Sequence, residues 1–175
     1  MIFNLIVSTY RHRELDAQNE LHFILKMFGD HHPTSQVTNV SGLLTARTTL
    51  DPFQVIERVK GLIHEEPWNI RFILRMIPIE ISFFINGIHP IREAATKLSS
   101  KMHASDTFRI TVERRATAMT SSELISNLGS TFNNIVDLEN PHWIVLVEII
   151  GKIGGVSIVR PYDIFSAIRE SRIEV

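Results

Sequence analysis

The sequence predicts an α+β protein built from two small units, and three observations carry that reading. The first 85 residues give strand and helix signals in the order βαββαβ. Asp106 to Pro161 reads as a strand, a capped helix and a strand pair in succession. Between them, Asn86-Gly87 and His89-Pro90 gather the residues that interrupt regular structure. A chain of 175 residues has enough apolar side chains to close a core in each half.

Phe3, Leu5 and Val7 alternate with other residues and begin a strand. Leu21, Ile24, Leu25 and Phe28 form a helical stripe that ends near Gly29, and His31-His32-Pro33 is a turn. Gln36 to Val40 and Gly42 to Arg47 are two further strands. Asp51-Pro52 supplies an N-cap and a first-turn proline to a helix bearing Val55, Ile56, Val59, Leu62 and Ile63. Glu65-Glu66-Pro67 stops it, and Ile70 to Ile77 is the last strand of this half. A βαββαβ order of this size predicts a ferredoxin-like unit over residues 1–85.

Past the joint, Ile91, Ala94, Ala95, Leu98 and Met102 recur at helical spacing. In Asp106 to Arg115, Phe108, Ile110 and Val112 alternate with Arg109, Thr111 and Glu113, the pattern of a strand with one buried face. Thr120-Ser121-Ser122-Glu123 is a capping box, and Leu124, Ile125, Leu128 and Phe132 follow on one side of its helix. Two apolar strands flank Gly151-Lys152-Ile153-Gly154-Gly155, which reads as a hairpin turn and lacks the spacing of a phosphate loop. A short tail helix from Tyr162 is expected to bury Ile164, Phe165 and Ile168, and the second unit is assigned residues 86–175.

Composition narrows the chemistry. With no cysteine there is no disulfide, thiolate metal site or cysteine nucleophile. The start of the chain lacks the basic and small-residue flanks of an export signal, so a cytoplasmic location is expected. Met76 to Ile88 is apolar but short, and Pro78, Glu80 and Asn86 interrupt it, so no membrane span is expected. The formal net charge is -1, with 8 basic and 9 acidic residues in 1–85 and 10 of each in 86–175. Only Arg92 to Arg115 holds a local basic excess, which implies few phosphate contacts and salt-sensitive binding of any polyanion.

Arg114 and Arg115 leave a strand just before a helix whose first turn contains Ser121 and Ser122. A helix start offers free backbone N–H groups and partial positive charge, so these four residues suit a phosphate. The competing reading pairs Arg114 with Glu113 or Glu123 and leaves the serines as caps. Glu148, inside an apolar strand, is read as a structural carboxylate facing outward or paired with an arginine. Asp137 and Glu139 beside Asn140-Pro141 are read as shaping a turn. The eight histidines are scattered and no metal site is expected. No nucleophile, base and orienting group fall together, so neither enzyme activity nor a cofactor is expected.

The wording of Thr107 to Arg115, Ser121 to Ile125, Val136-Asp-Leu-Glu-Asn-Pro141, Leu146 to Ile149 and Val156 to Pro161 resembles the THUMP domain, an RNA-binding module. It is most similar to the THUMP proteins that accompany the tRNA acetyltransferase forming N4-acetylcytidine. The resemblance implies a ferredoxin-like unit joined to a THUMP domain, with tRNA and a separate acetyltransferase as partners. It also implies a tRNA-facing surface made by Lys97, Lys101, Arg114, Arg115, Ser121 and Ser122, to which Arg160 is added. Two alternatives remain open: an RNA-binding subunit of another split tRNA-modifying enzyme, acting in methyl or thiol transfer, and an interaction module that binds no RNA.

Overall fold

The structure is a computed structural model and describes residues 1–172. The chain divides into two compact units, Ile2–Ile79 with residues 163–172, and Glu80–Tyr162.

In the first unit, β1 (Leu5–Ser8), α1 (Glu14–Met27), β2 (Thr34–Val37), β3 (Leu43–Arg47), α2 (Pro52–Glu65) and β4 (Arg75–Pro78) follow the expected βαββαβ order. The antiparallel strands lie in the order β4-β1-β3-β2, which is the ferredoxin-like arrangement. Asp51 caps α2 by accepting from the N–H groups of Phe53 and Gln54 at 2.8 and 3.3 Å. Leu21, Ile24 and Leu25 of α1 and Val55, Ile56 and Val59 of α2 close on Leu5, Val7, Leu44 and Met76 of the sheet.

The strand expected over Ile70 to Ile77 forms only from Arg75. Upstream of it, the N–H groups of Arg71, Phe72 and Ile73 donate to the Glu20 carboxylate at 2.8, 3.1 and 2.9 Å. Amides bound to a side chain are lost to a strand ladder. The tail also departs from expectation, because β10 (Phe165–Ser166) pairs with β4 and only α5 (Ala167–Glu170) is helical. Phe165 and Ile164 are buried as expected, whereas Ile168 is exposed.

The second unit contains β5 (Ile81–Phe84), α3 (His89–Leu98), β6 (Thr107–Arg115), α4 (Ser121–Gly129), β7 (Ile135–Val136), β8 (Trp143–Ile150) and β9 (Ile153–Val159). The sheet order is β5-β9-β8-β6-β7. β6 runs parallel to β7 and β8, and β8, β9 and β5 are antiparallel. Phe108, Val145, Val147, Ile149, Val156 and Ile158 face Ile91, Ala94 and Ala95 of α3 and Leu124 and Leu128 of α4. Phe132 lies past the end of α4 and stacks on Phe108 with ring centroids 5.0 Å apart.

The units therefore differ from a division at residue 85. β5 pairs with β9 and belongs to the second sheet, while β10 returns the chain to the first. The hairpin is also tighter than the glycine run suggested, since Ile150 pairs with Ile153 and only Gly151 and Lys152 form the turn. Gly151 takes φ +59 there. Gly154 instead lies in β9, where an added Cβ would meet the Phe83 ring at 2.9 Å.

Candidate nucleic-acid interface

β6 delivers Arg114 and Arg115 to the end of the sheet where α4 begins, and the pleat sends their side chains to opposite faces. Arg114 follows Phe108, Ile110 and Val112 onto the helix side, is exposed, and donates from Nε to Ser121 Oγ at 3.3 Å. Thr120 caps α4, accepting from the Glu123 N–H at 3.3 Å, while the Glu123 side chain accepts from the Thr120 N–H at 3.1 Å. Hydrogen bonds from the Thr120 hydroxyl and amide hold the Glu123 carboxyl below the usual range. Ser121 and Ser122 are thus not the caps. They present hydroxyls in the first turn, whose amides have no intrahelical acceptor. An exposed guanidinium beside such a helix start can take a phosphate oxygen.

Arg115 is placed differently from the expectation. Its Nη1 donates to Glu148 Oε2 at 2.7 Å and its Nη2 lies 3.5 Å from Glu113, so it serves the structure of the sheet. The Glu148 side chain is completely buried, and pairing with arginine is what keeps an ionised carboxylate tolerable there. The arginine-paired reading of Glu148 thus holds in the structure.

The other three predicted cations lie elsewhere. Lys101 is partly buried and donates to Glu80 Oε1 and the Ile158 carbonyl, both at 2.8 Å. Lys97 is exposed but bonded to Glu93 Oε1 at 2.7 Å, one helical turn back. That hydrogen bond holds the Glu93 carboxyl below its ordinary value. Arg160 stacks over Trp143 with its guanidinium carbon 4.3 Å from the ring centroid. Val159 sits opposite Ile144, whereas Arg115 sits opposite Ile150, six residues along the same strand. At ~3.3 Å per residue that is roughly 20 Å. The structure therefore brings together Arg114, Ser121 and Ser122, with Arg115 beside them but engaged, and sets Lys101 and Arg160 at the opposite end of the sheet.

Sequence reasoning missed the Trp143–Arg160 stack, although a signal was present. A two-residue turn at Gly151-Lys152 fixes the β8–β9 register and sets Arg160 across from Trp143. Trp143 is held by donating from its indole N–H to Asp106 Oδ2 at 2.9 Å. This bond and one from the His103 N–H hold Asp106 below the usual carboxylate range.

Asp137 accepts from the N–H groups of Glu139 and Asn140 at 3.0 and 2.9 Å, the turn-shaping role expected of it. Among the described residues no cluster of three or more potential metal ligands forms, and no helix is long and apolar enough to cross a membrane.

Comparison with known proteins gives this geometry a family setting. Among curated proteins, none matches the sequence. Of solved structures, PH1313 from Pyrococcus horikoshii is 15% identical and matches 91% of this chain and 55% of its own, with a TM-score of 0.68. TrmN from Thermus thermophilus is 16% identical and matches 90% of this chain and 46% of its own, at a TM-score of 0.58. A 4-thiouridine synthetase in complex with RNA and bound ATP is 13% identical, with 90% of this chain and 41% of its own covered, at 0.56. The chain thus spans about half the length of the solved proteins it matches, and at these identities the likeness is one of fold. The THUMP domain family model matches residues 87–159, from the start of α3 through β9. Residues 87–159, which place Arg114 at the mouth of α4, therefore match the THUMP domain.

Proposed function

We propose that this protein binds tRNA through its THUMP domain and presents it to a separate acetyltransferase that forms N4-acetylcytidine. The observation that carries the RNA-binding part is the THUMP match over residues 87–159, on a domain where Arg114 and the α4 first turn remain exposed. The phosphate is met by the Arg114 guanidinium and the α4 amides, and Ser121 and Ser122 add hydroxyl donors. The contribution is binding and orientation. A partner enzyme gains because fixing tRNA relative to the acetyl donor removes much of the entropic part of the barrier.

The wording from Val136 to Pro141 supports the acetylation pathway. A second reading, an RNA-binding subunit for methyl or thiol transfer, is supported by the likeness to TrmN and to the 4-thiouridine synthetase. Nucleoside mass spectrometry on tRNA from cells lacking the protein separates the two. Loss of acetylcytidine supports the first, and loss of a methylated or thiolated nucleoside supports the second. The direct test incubates tRNA, acetyl-CoA and the acetyltransferase with and without this protein. Equal acetylcytidine yields would overturn the presenting role.

A further inference from the structure

β7 is the outermost strand of its sheet and pairs with β6 on one side. Its side chains are apolar and open to solvent on both faces. Val136 lies opposite Phe108 and shares the helix-packed face, whereas Ile135 lies opposite Thr107 and points the other way. They are 60% and 70% exposed, and Leu138, just past the strand, is 70% exposed. The backbone has a fixed direction as well. Asp137 donates its N–H to the Phe108 carbonyl at 2.9 Å, which turns the backbone groups of Ile135 and Asp137 toward β6. The N–H and C=O of Val136 between them therefore point away from the sheet. Such a strand is a template for one more, since an added strand takes up the outward N–H and C=O and covers apolar side chains on both faces at once. At β2, the outer strand of the first unit, the exposed side chains include polar Thr34 and Gln36, which gain less from being covered.

Charge decides what the added strand carries. Asp137 and exposed Glu139 follow Val136, and half-buried Arg109, which donates to the Leu138 carbonyl at 3.2 Å, offsets only one of the two carboxylates. RNA phosphate is repelled here. A second copy of β7 would bring two more carboxylates against the first two, and like charges across a strand pair are destabilising. A strand with basic and apolar side chains meets both requirements. We propose that a basic extended segment of the acetyltransferase docks on this protein by adding itself to β7. The proposal rests on the presenting role argued above and gives that role its enzyme-facing surface. One strand links this surface to the phosphate site. Val136 lies opposite Phe108, and Arg114 is six residues further along β6, roughly 20 Å at ~3.3 Å per residue. The enzyme thus seats without covering Arg114, and β6 fixes the distance between bound RNA and bound enzyme.

The test measures association with the purified acetyltransferase by calorimetry, beside tRNA affinity, for each variant. Val136→Pro removes the outward N–H and leaves the ladder with β6 whole. It is expected to weaken the enzyme complex about tenfold, with tRNA affinity unchanged. Glu139→Lys should weaken the complex about threefold at low salt and less at high salt. Val136→Ile, which keeps the N–H, should bind like the unsubstituted protein, and the Val136 amide should exchange with solvent more slowly in the complex. If Val136→Pro and Glu139→Lys both bind the enzyme normally, docking at β7 is overturned and the presenting role stands. If the unsubstituted protein binds no acetyltransferase, both fall. Loss of tRNA binding by folded Val136→Pro would overturn the proposal in favour of an RNA contact. A dimer that sedimentation detects and Val136→Pro dissolves would overturn it in favour of a second copy. Thermal unfolding shows whether Val136→Pro is folded, and Glu139→Lys, at an exposed side chain, decides the matter if it is not.

Discussion

Arg115 and Glu148 meet at 2.7 Å although they are not in register, since Glu148 lies opposite Glu113 and Arg115 opposite Ile150. The guanidinium reaches back one pleat to a carboxylate that is wholly buried. Removing one partner of such a pair strands the other's charge in low dielectric. Arg115→Ala is therefore expected to cost about 3 kcal/mol of stability, while Arg115→Ala with Glu148→Leu recovers much of it. Urea unfolding of the single and double variants checks this.

Arg114 makes the opposite case, because it is exposed and its hydrogen bond to Ser121 is long at 3.3 Å. Arg114→Ala should leave the unfolding midpoint within experimental spread. It should weaken tRNA binding and reduce the slope of log affinity against log salt by about one. A filter-binding titration at several salt concentrations reads both effects. A variant that also replaces Arg115 confounds binding with folding.

Gly42 takes φ +77, and an added Cβ would lie 2.8 Å from the Thr9 carbonyl oxygen. The contact is with backbone just past the end of β1, so no side chain can swing away. The strain of a left-handed alanine and the overlap together predict a loss of about 2 to 4 kcal/mol for Gly42→Ala. Native-state hydrogen exchange should show the loss in β1 and β3. By contrast, Gly29→Ala meets nothing within 4 Å and should lose less.

Burial raises the Asp30 carboxyl, but hydrogen bonds from the Thr48 hydroxyl and from the N–H groups of Thr49 and His32 outweigh it, and the net direction is down. A carboxyl whose folded value lies below its unfolded one contributes stability above the unfolded value. That contribution is lost as pH falls through the folded value. Stability should therefore decline below about pH 4, near the unperturbed aspartate value. Asp30→Asn should be less stable at neutral pH and show a shallower acid decline, which denaturant titrations between pH 2 and 7 resolve.

Much of the fold was legible because apolar period and caps agree locally. Thr120 and Glu123 form the box their spacing announces, and Asp51-Pro52 begins α2 as read. What the sequence hid is set by long-range partners. Glu20 draws three amides out of a strand more than fifty positions away, and β10 finds β4 across the whole second unit. The candidate site was half legible for the same reason. The period of β6 places Arg114 and Arg115 on opposite faces, but whether each meets solvent or a carboxylate depends on β8, and Lys101 is drawn to Glu80.

Pairing of Phe165 with Met76 has a consequence for biosynthesis. As the ribosome extends the chain, the outer margin of β4 stays open until the entire THUMP segment has been translated. At about 5 to 20 residues per second this leaves a bare strand margin for several seconds, a window in which chaperones or neighbouring nascent chains compete for it.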